Sequence, residues 1–285
     1  MKQKKRWILF LQCFCILLLP FSGKAQKAII TEIKEMHPLK KVINIFPVIQ
    51  IPGNKKVSFL INQKLREEAL YLDSTGFKKS IFEVAWFRDD NNNPYWEYDD
   101  FEYEVFSNTA RFLNLSILFS GGKHGQSQTL YFLFDTKTGE DILFNRILTK
   151  QGQEWLAAKM VALQKKRIQQ FLPELKDSIQ MAGTIHGTDS SYKEDFQREY
   201  EMYERCLTSS LPSYITDPDA LDYFEIYLKD NFLNVKGCAC AGNWHQMRFD
   251  DLSDATLKLP VKEIERFLTE KGRRLIFGDG RISIN

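Results

Sequence analysis

After residue 19, the sequence has no apolar run long enough to span a membrane. A transmembrane helix needs roughly 20 consecutive apolar residues, so no spanning segment is expected in the rest of the chain. Internal repeats and low-complexity linkers are missing as well, and no repeat architecture is predicted. The composition of the 285 residues, with 44% hydrophobic and 27% charged, is that of a globular protein.

Familiar catalytic motifs are also missing. The sequence contains no nucleophile elbow, phosphate-binding loop, HExxH helix or dinucleotide fingerprint. This absence is weak evidence by itself, because catalytic residues often come from distant strands. We expect a protein that is not an enzyme and that carries no cofactor and no metal.

Neither sign of charge is in excess. The chain has 39 Lys and Arg residues against 37 Asp and Glu residues, and residues 1–25 hold five of the basic residues and none of the acidic ones. The rest of the chain therefore has 34 basic and 37 acidic residues. This balance gives no indication of nucleic-acid binding, for which a basic surface is typical.

The first 25 residues have the three parts of an export signal. A basic head at Lys2–Arg6 precedes an almost entirely apolar run at Trp7–Leu19, and the small residues Gly23 and Ala25 follow. This pattern predicts cleavage before Gln26. The alternative is a membrane anchor, for which the apolar run is too short. We expect a periplasmic or secreted protein that does not span the membrane after signal cleavage.

Three of the five cysteines remain after this cleavage, namely Cys206, Cys238 and Cys240. An exported protein meets an oxidising compartment, and one disulfide plus one thiol is the simplest arrangement. We predict that Cys206 pairs with Cys238 or Cys240. The alternative is a tetrahedral metal site that includes His245, but Cys-x-Cys lacks the usual two-residue gap of zinc ligands.

Hydrophobic periodicity predicts an α+β fold. Alternating or apolar runs predict an antiparallel meander of strands at 101–105, 112–119 and 129–134. Further strands are predicted at 42–51, 81–87, 223–228, 232–235 and 244–249, and helices at 57–72, 153–172, 192–207 and 261–271. Helices grouped between strands indicate α+β rather than alternating βαβ units, with the helices packed on one face of the sheet. We expect one extracytoplasmic domain over 26–285, with 26–100 and 101–285 as possible subdomains.

A glycine-rich loop between the second and third meander strands is the predicted ligand-binding site. Gly122 precedes Lys123, and Gly125 follows His124, so the backbone amides are uncovered and a partner can approach closely. Lys123 and His124 would donate hydrogen bonds to that partner. The alternative is that His124 only stabilises its own loop.

Three further patterns are interpreted as structural. Asn114 begins a glycosylation sequon in the middle of a predicted strand. A polar stretch from Asp89 to Asp100 has the spacing of calcium ligands, but Pro94 stands where such a loop needs glycine. The neighbouring aromatic cluster, Tyr95–Tyr103, is expected to belong to the core rather than to stack on sugars.

Several short segments resemble a secreted domain of unknown function. This domain forms the extracellular part of the lysozyme-sensing anti-sigma factor RsiV and the non-catalytic region of the deacetylase PdaC. The segments that carry the resemblance are Ile45–Ile49, Ile61–Asn62, Leu115–Ile117, Gly121–Gly125, Phe134–Gly139 and Leu259–Ile264.

The resemblance implies an α+β module outside the cytoplasm that binds a ligand, which is a protein in the anti-sigma factor. This chain departs from it at 173–215 and at Cys238–Cys240, and it shows no deacetylase domain. We therefore expect a non-enzymatic binding or sensing module of the bacterial cell envelope, whose partner is an envelope protein or a cell-wall component. The alternative is an enzyme or enzyme accessory that acts on cell-wall glycan.

Overall fold

The computed structural model describes ten segments of the chain, and the predicted signal peptide lies outside them. The described residues are 26–70, 80–82, 86, 98, 100–121, 126–185, 190–210, 221, 224–237 and 256–278.

Strands and helices follow one another in the order of an α+β fold, which confirms the predicted class. The strands are β1 (Ile29–Met36), β2 (Ile43–Gln50), β3 (Asp100–Asn108), β4 (Phe112–Gly121), β5 (Gln126–Asp135), β6 (Glu225–Lys229), β7 (Phe232–Lys236) and β8 (Thr256–Pro260). The helices are α1 (Lys55–Leu70), α2 (Phe144–Ile147), α3 (Lys150–Ile185), α4 (Ser190–Arg205), α5 (Val261–Ile264) and α6 (Glu270–Phe277). A π-helical turn, Cys206–Ser210, extends α4, and a 3₁₀ turn, Glu265–Phe267, extends α5.

The predicted meander is present as the antiparallel sheet β3–β4–β5. β4 is its central strand and is buried along most of its length, while β3 and β5 form the two edges. The turn after β5 contains Gly139 at φ 78°, a backbone conformation that glycine adopts without steric cost. Two smaller antiparallel sheets, β1–β2 and β6–β7–β8, accompany this central sheet.

The first core lies between α1, the β1–β2 hairpin and one face of the central sheet. Its fully buried side chains include Phe46, Ile61, Leu65 and Phe101. Asn62 of α1 also holds β2, because its side chain accepts from the Ile49 N–H at 2.8 Å and donates to the Ile49 carbonyl at 2.7 Å. That amide satisfies strand backbone groups that would otherwise be buried without partners.

The second core joins the other face of the sheet to β6–β8 and the later helices. Phe112 of β4 belongs to this core, and the fully buried side chain of Asn114 adds a polar connection to β4. Asn114 accepts from the Leu228 N–H at 2.6 Å and donates to the Phe132 carbonyl at 2.6 Å. Ser107 donates to the Leu228 carbonyl at 2.8 Å. The sequon is thus buried, and its asparagine has a structural role.

The predicted strand at 81–87 is wrong at its described residues. Ile81 and Phe82 lie in a turn, Trp86 is helical, and the Trp86 N–H donates to the Phe82 carbonyl at 2.9 Å. The two rings stack with centroids 5.2 Å apart, as residues four positions apart on a helix are able to do. Phe82 and Trp86 therefore pack against each other in the first core.

The helix predicted to end before Pro173 instead continues to Ile185. Proline removes one helical hydrogen bond and disfavours the helical interior. Packing offsets this cost, because Leu175 lies beyond the proline and is buried in the second core, where Tyr203 of α4 also packs. Tertiary contacts thus override the local helix-ending signal.

The single helix predicted at 261–271 is divided in two. Leu268 is extended, with ψ 142°, and forms an isolated bridge with Leu148. Thr269 then caps the N-terminus of α6, since its side chain accepts the Gly272 N–H at 3.1 Å. The strand β8 just before α5 is an element that the sequence analysis did not predict.

Several expectations remain predictions. The strand predicted at 244–249 lies outside the described residues, and the division of the chain into domains is not tested. Within the described segments, no helix combines the length and the apolar character needed to cross a membrane.

Candidate functional site

A cleft runs along the outer edge of β5, and we call it the β5 cleft. Thr129–Leu133 of β5 form one wall, and the segments Asp141–Asn145 and Phe224–Ile226, with Leu221, form the rest. The cleft has a volume of about 430 Å³. It is a concave and partly apolar surface of the size that small ligands or peptide side chains occupy.

The backbone of β5 presents hydrogen-bonding groups to this cleft. Leu133 directs its backbone away from β4, because its N–H donates to Asp141 Oδ1 at 3.3 Å and its carbonyl accepts from the Ile142 N–H at 2.7 Å. Strand geometry alternates with period two in an antiparallel pair. Tyr131 and Thr129 therefore also direct their N–H and C=O groups outward. Within the described residues, these four groups have no hydrogen-bond partner.

Glu225 and Tyr131 meet across the cleft. The phenol oxygen of Tyr131 donates to Glu225 Oε2 at 2.8 Å, although the two residues are 94 positions apart in the chain. Burial and this hydrogen bond to a carboxylate both raise the pKa of Tyr131. Tyr131 therefore stays protonated as a donor and orients the Glu225 carboxylate, which keeps lone pairs for a ligand.

Asp141 supplies a second carboxylate to the cleft wall. Burial raises the pKa of Asp141, and its hydrogen bond from the Leu133 N–H opposes the rise. Lys64 and Arg146 also stabilise its charged form from nearby, whereas Glu68 destabilises it. A carboxyl group with a raised pKa can act as a proton donor in an enzyme. At this position it also closes the end of β5, so its structural role is evident.

An aromatic stack packs against Tyr131 of the cleft lining. Tyr131 stacks on Tyr227 with ring centroids 5.5 Å apart, and Tyr227 stacks on Phe106 at 4.4 Å. Lys229 lies over the Phe106 ring and pairs with Glu104 at 2.6 Å. The stack crosses from the central sheet to β6, and it positions Tyr131 and Glu225 on rigid elements.

The predicted loop residues Gly122, Lys123, His124 and Gly125 lie outside the described residues. β5 begins at Gln126, directly after them. The ligand-binding role of the loop stays a prediction.

Of the predicted disulfide residues, Cys206 is described and is 3% exposed in the second core. Cys238 and Cys240 lie outside the described residues, but Gly237 directly before them is described. Its carbonyl accepts a hydrogen bond from Gln164 of α3 at 2.5 Å. The chain before Cys238 thus reaches the helix α3 that contributes to the core around Cys206, and the pairing remains a prediction.

The calcium-like stretch lies almost entirely outside the described residues, and its last member, Asp100, begins β3. Among the residues that the structure describes, no group of three or more His, Cys, Asp or Glu side chains is placed to hold a metal ion. His245, the fourth member of the alternative cysteine site, is also outside them.

Sequence reasoning missed the three polar residues of the β5 cleft, Tyr131, Asp141 and Glu225. Each occurs in an ordinary context, namely a strand, a turn and the start of another strand. No motif joins them, since Glu225 reaches Tyr131 only when β6 docks against the central sheet, and Asp141 is held at β5 by the Leu133 N–H. The one feature of the sequence that could have indicated this site is that the last strand of a predicted three-stranded meander lies at an edge of the sheet.

No protein-family model matches the chain, and no curated protein matches it. Two solved structures of DUF3298 family proteins are similar to it. One, from Bacteroides fragilis, is 13% identical with a TM-score of 0.43, covering 85% of this chain and 93% of that chain. The other, from Pseudomonas aeruginosa, is 10% identical with a TM-score of 0.45, covering 85% and 94%. At these values neither structure assigns a function to the chain.

Proposed function

We propose that the chain is a non-enzymatic binding module of the bacterial cell envelope and that the β5 cleft is its binding site. The observation that carries this proposal is the outward-facing backbone of Thr129 and Tyr131 beside a concave, partly apolar surface. An open strand edge is a recognition surface in many proteins. Here it lies above a preformed cleft, with a carboxylate already oriented by Tyr131.

The envelope location is proposed from the sequence. Residues 1–25 have the pattern of an export signal, and the resemblance to RsiV and PdaC modules implies an extracytoplasmic role. N-terminal mass analysis of protein recovered from the envelope or medium tests this part. A chain that begins at Gln26 supports it, and a chain that keeps the apolar segment Trp7–Leu19 contradicts it.

Binding is tested with the mature chain and two probes, purified muropeptides and lysozyme. A binding module shows ligand-dependent thermal stabilisation, without any change in the mass of the probe. Two variants then locate the site. Thr129→Pro removes an outward N–H in the cleft, and the double variant Lys123→Ala with His124→Ala alters the predicted loop. Loss of stabilisation in the first, with the fold kept, supports the β5 cleft, whereas loss only in the second places binding in the loop.

The alternative function is an enzyme or enzyme accessory that acts on cell-wall glycan. The raised pKa of Asp141, in the same cleft as the Glu225 carboxylate, is the observation that favours it. An enzyme of this kind would convert muropeptides into products of different mass. If purified protein does so, and Asp141→Asn abolishes the reaction, the binding-only proposal is wrong.

A further inference from the structure

We infer that the β5 cleft binds an extended peptide, which adds as a strand to β5 and places a lysine or arginine side chain on Glu225. This inference rests on the proposed binding function and names the chemical class of the ligand. Two features carry it: the backbone groups of β5 and the charge and shape of the opposite wall.

The backbone groups specify an extended partner. Tyr131 and Thr129 each direct one N–H and one C=O into the cleft, two residues apart, which is the spacing of a β-ladder. An added strand would satisfy all four groups. Beyond Tyr131 the ladder is already closed, because Asp141 and Ile142 bind the backbone of Leu133. The ligand strand is therefore short, and it ends where Asp141 begins.

The walls specify the side chains of that partner. Leu143 is 50% exposed at the rim, and Leu221, Phe224 and Ile226 line the opposite wall. Successive residues of a strand point to opposite faces. Alternate side chains of an added peptide would thus enter the cleft, where apolar groups are favoured.

The negative charge of the cleft favours a cationic residue in the bound peptide. Its described lining contains the carboxylates of Asp141 and Glu225 and no Lys, Arg or His side chain. Glu225 is the better partner, because Asp141 already accepts the Leu133 N–H and lies near Lys64 and Arg146. Lys236 stands opposite Glu225 in the β6–β7 register but does not line the cleft.

The test uses a fluorescein-labelled heptapeptide that alternates threonine and valine around a central lysine. Its binding to the mature protein is measured by fluorescence anisotropy at low salt. A second peptide has glutamate in place of the lysine. A third is methylated on the backbone nitrogens of one edge, which prevents strand pairing on that edge. We expect the lysine peptide to bind about tenfold more tightly than either of the others.

Two protein variants and one control complete the test. Thr129→Pro removes an N–H that faces the cleft, and proline is tolerated at such positions on edge strands. Lys34→Pro makes the same change on the exposed edge strand β1, outside the cleft lining. We expect the first to weaken binding of the lysine peptide about tenfold and the second to leave it within about twofold. Glu225→Gln keeps an acceptor for Tyr131, and it should weaken the lysine peptide about fivefold while sparing the glutamate peptide.

Four outcomes would overturn the inference. Equal binding of the methylated peptide would exclude strand addition, and equal loss of both peptides on Glu225→Gln would exclude a cation site. A dimer in sedimentation experiments that Thr129→Pro dissociates would show that a second copy of the chain occupies the edge. If the peptides do not bind but muropeptides or lysozyme still stabilise the protein, the peptide inference fails and the binding function stands.

Discussion

At the scale of single residues, Asn114 has an unusual position for a polar side chain. It is fully buried in β4, and its amide joins the backbones of β5 and β6. An aliphatic side chain of similar size would fit the space but would leave the Leu228 N–H and one acceptor site of the Phe132 carbonyl without a partner. Buried groups of this kind are costly.

We therefore expect Asn114→Leu to lower the free energy of unfolding by about 3 kcal/mol. Chemical denaturation of the purified mature protein measures this change. The matched control is Gln197→Leu, since Gln197 is an exposed amide whose contact is a surface bond to Glu201 at 2.9 Å. The control should change stability by less than about 0.5 kcal/mol. Equal effects of the two variants would contradict the structural role of Asn114.

Asp141 makes the stability of the protein depend on pH. Burial raises its pKa above the usual 3.8, so the folded state holds this proton more tightly than the unfolded state does. The free energy of unfolding therefore falls as the pH rises from 3.8 through the raised pKa. Above the raised pKa, the stabilising contribution of protonated Asp141 is fully lost, and its effect on the free energy of unfolding no longer changes with pH.

We expect Asp141→Asn to remove this contribution while keeping an acceptor for the Leu133 N–H. The stability of the variant relative to the wild type should increase as the pH rises through the window and then become constant. Urea denaturation at intervals from about pH 3 to about pH 8 measures the difference. A relative stability that stays constant or declines over this range would show that the pKa of Asp141 is not raised.

At the scale of elements, the close approach of α6 to α2 depends on a glycine. A Cβ atom on Gly272 would overlap the carbonyl oxygen and the Cβ of Ile147. Beside this contact, the Thr269 N–H donates to the same carbonyl at 2.8 Å. The helix α6 thus starts directly against the end of α2, and any side chain at 272 would force them apart.

Gly272→Ala should therefore destabilise the protein by about 2–3 kcal/mol, although alanine is the better helix former. Gly53→Ala is a useful comparison, because Gly53 has φ 75° but open space around its Cα. That change should cost about 1–2 kcal/mol from backbone strain alone. Thermal denaturation of both variants shows which substitution destabilises the protein more. A Gly272→Ala protein that is more stable than the wild type would contradict the close packing of α6 against α2.

At the scale of the whole molecule, the central sheet holds two cores together, one on each face. The second core contains Cys206 and Tyr203. Gly237 contacts the helix α3 of this core, because its carbonyl accepts a hydrogen bond from Gln164. The sequence predicts a disulfide from Cys206 to Cys238 or Cys240, and this pairing stays a prediction. Such a bridge would close a loop of about 30 residues and contribute roughly 3–4 kcal/mol.

We expect non-reducing peptide mapping of exported protein to find Cys206 linked to one of these two cysteines. Reduction should then lower the melting temperature, because the closed loop gains freedom in the unfolded state. Cys206→Ala should lower it to a similar extent and should make it insensitive to reductant. Three free thiols in the exported protein would rule the bridge out.

The local pattern of the sequence predicts the meander because its causes are local. Alternation of Phe101, Tyr103 and Val105 with acidic residues indicates a strand with one wet face, and Gly139 marks the turn after β5. Predictions fail where distant contacts override such signals. Pro173 does not end α3, because Leu175 beyond it is buried, and Leu268 interrupts the last helix in order to pair with Leu148.

The sequence alone determines the α+β class, the three meander strands and the expectation of export, since each depends on residues that are neighbours in the chain. Tertiary structure alone decides the β5 cleft. Tyr131 and Glu225 meet because β6 docks through Asn114, and the edge is open because no strand covers Thr129 among the described residues. Which strand remains an edge, and what faces it, follows from the packing of whole sheets, and local periodicity carries no information about that.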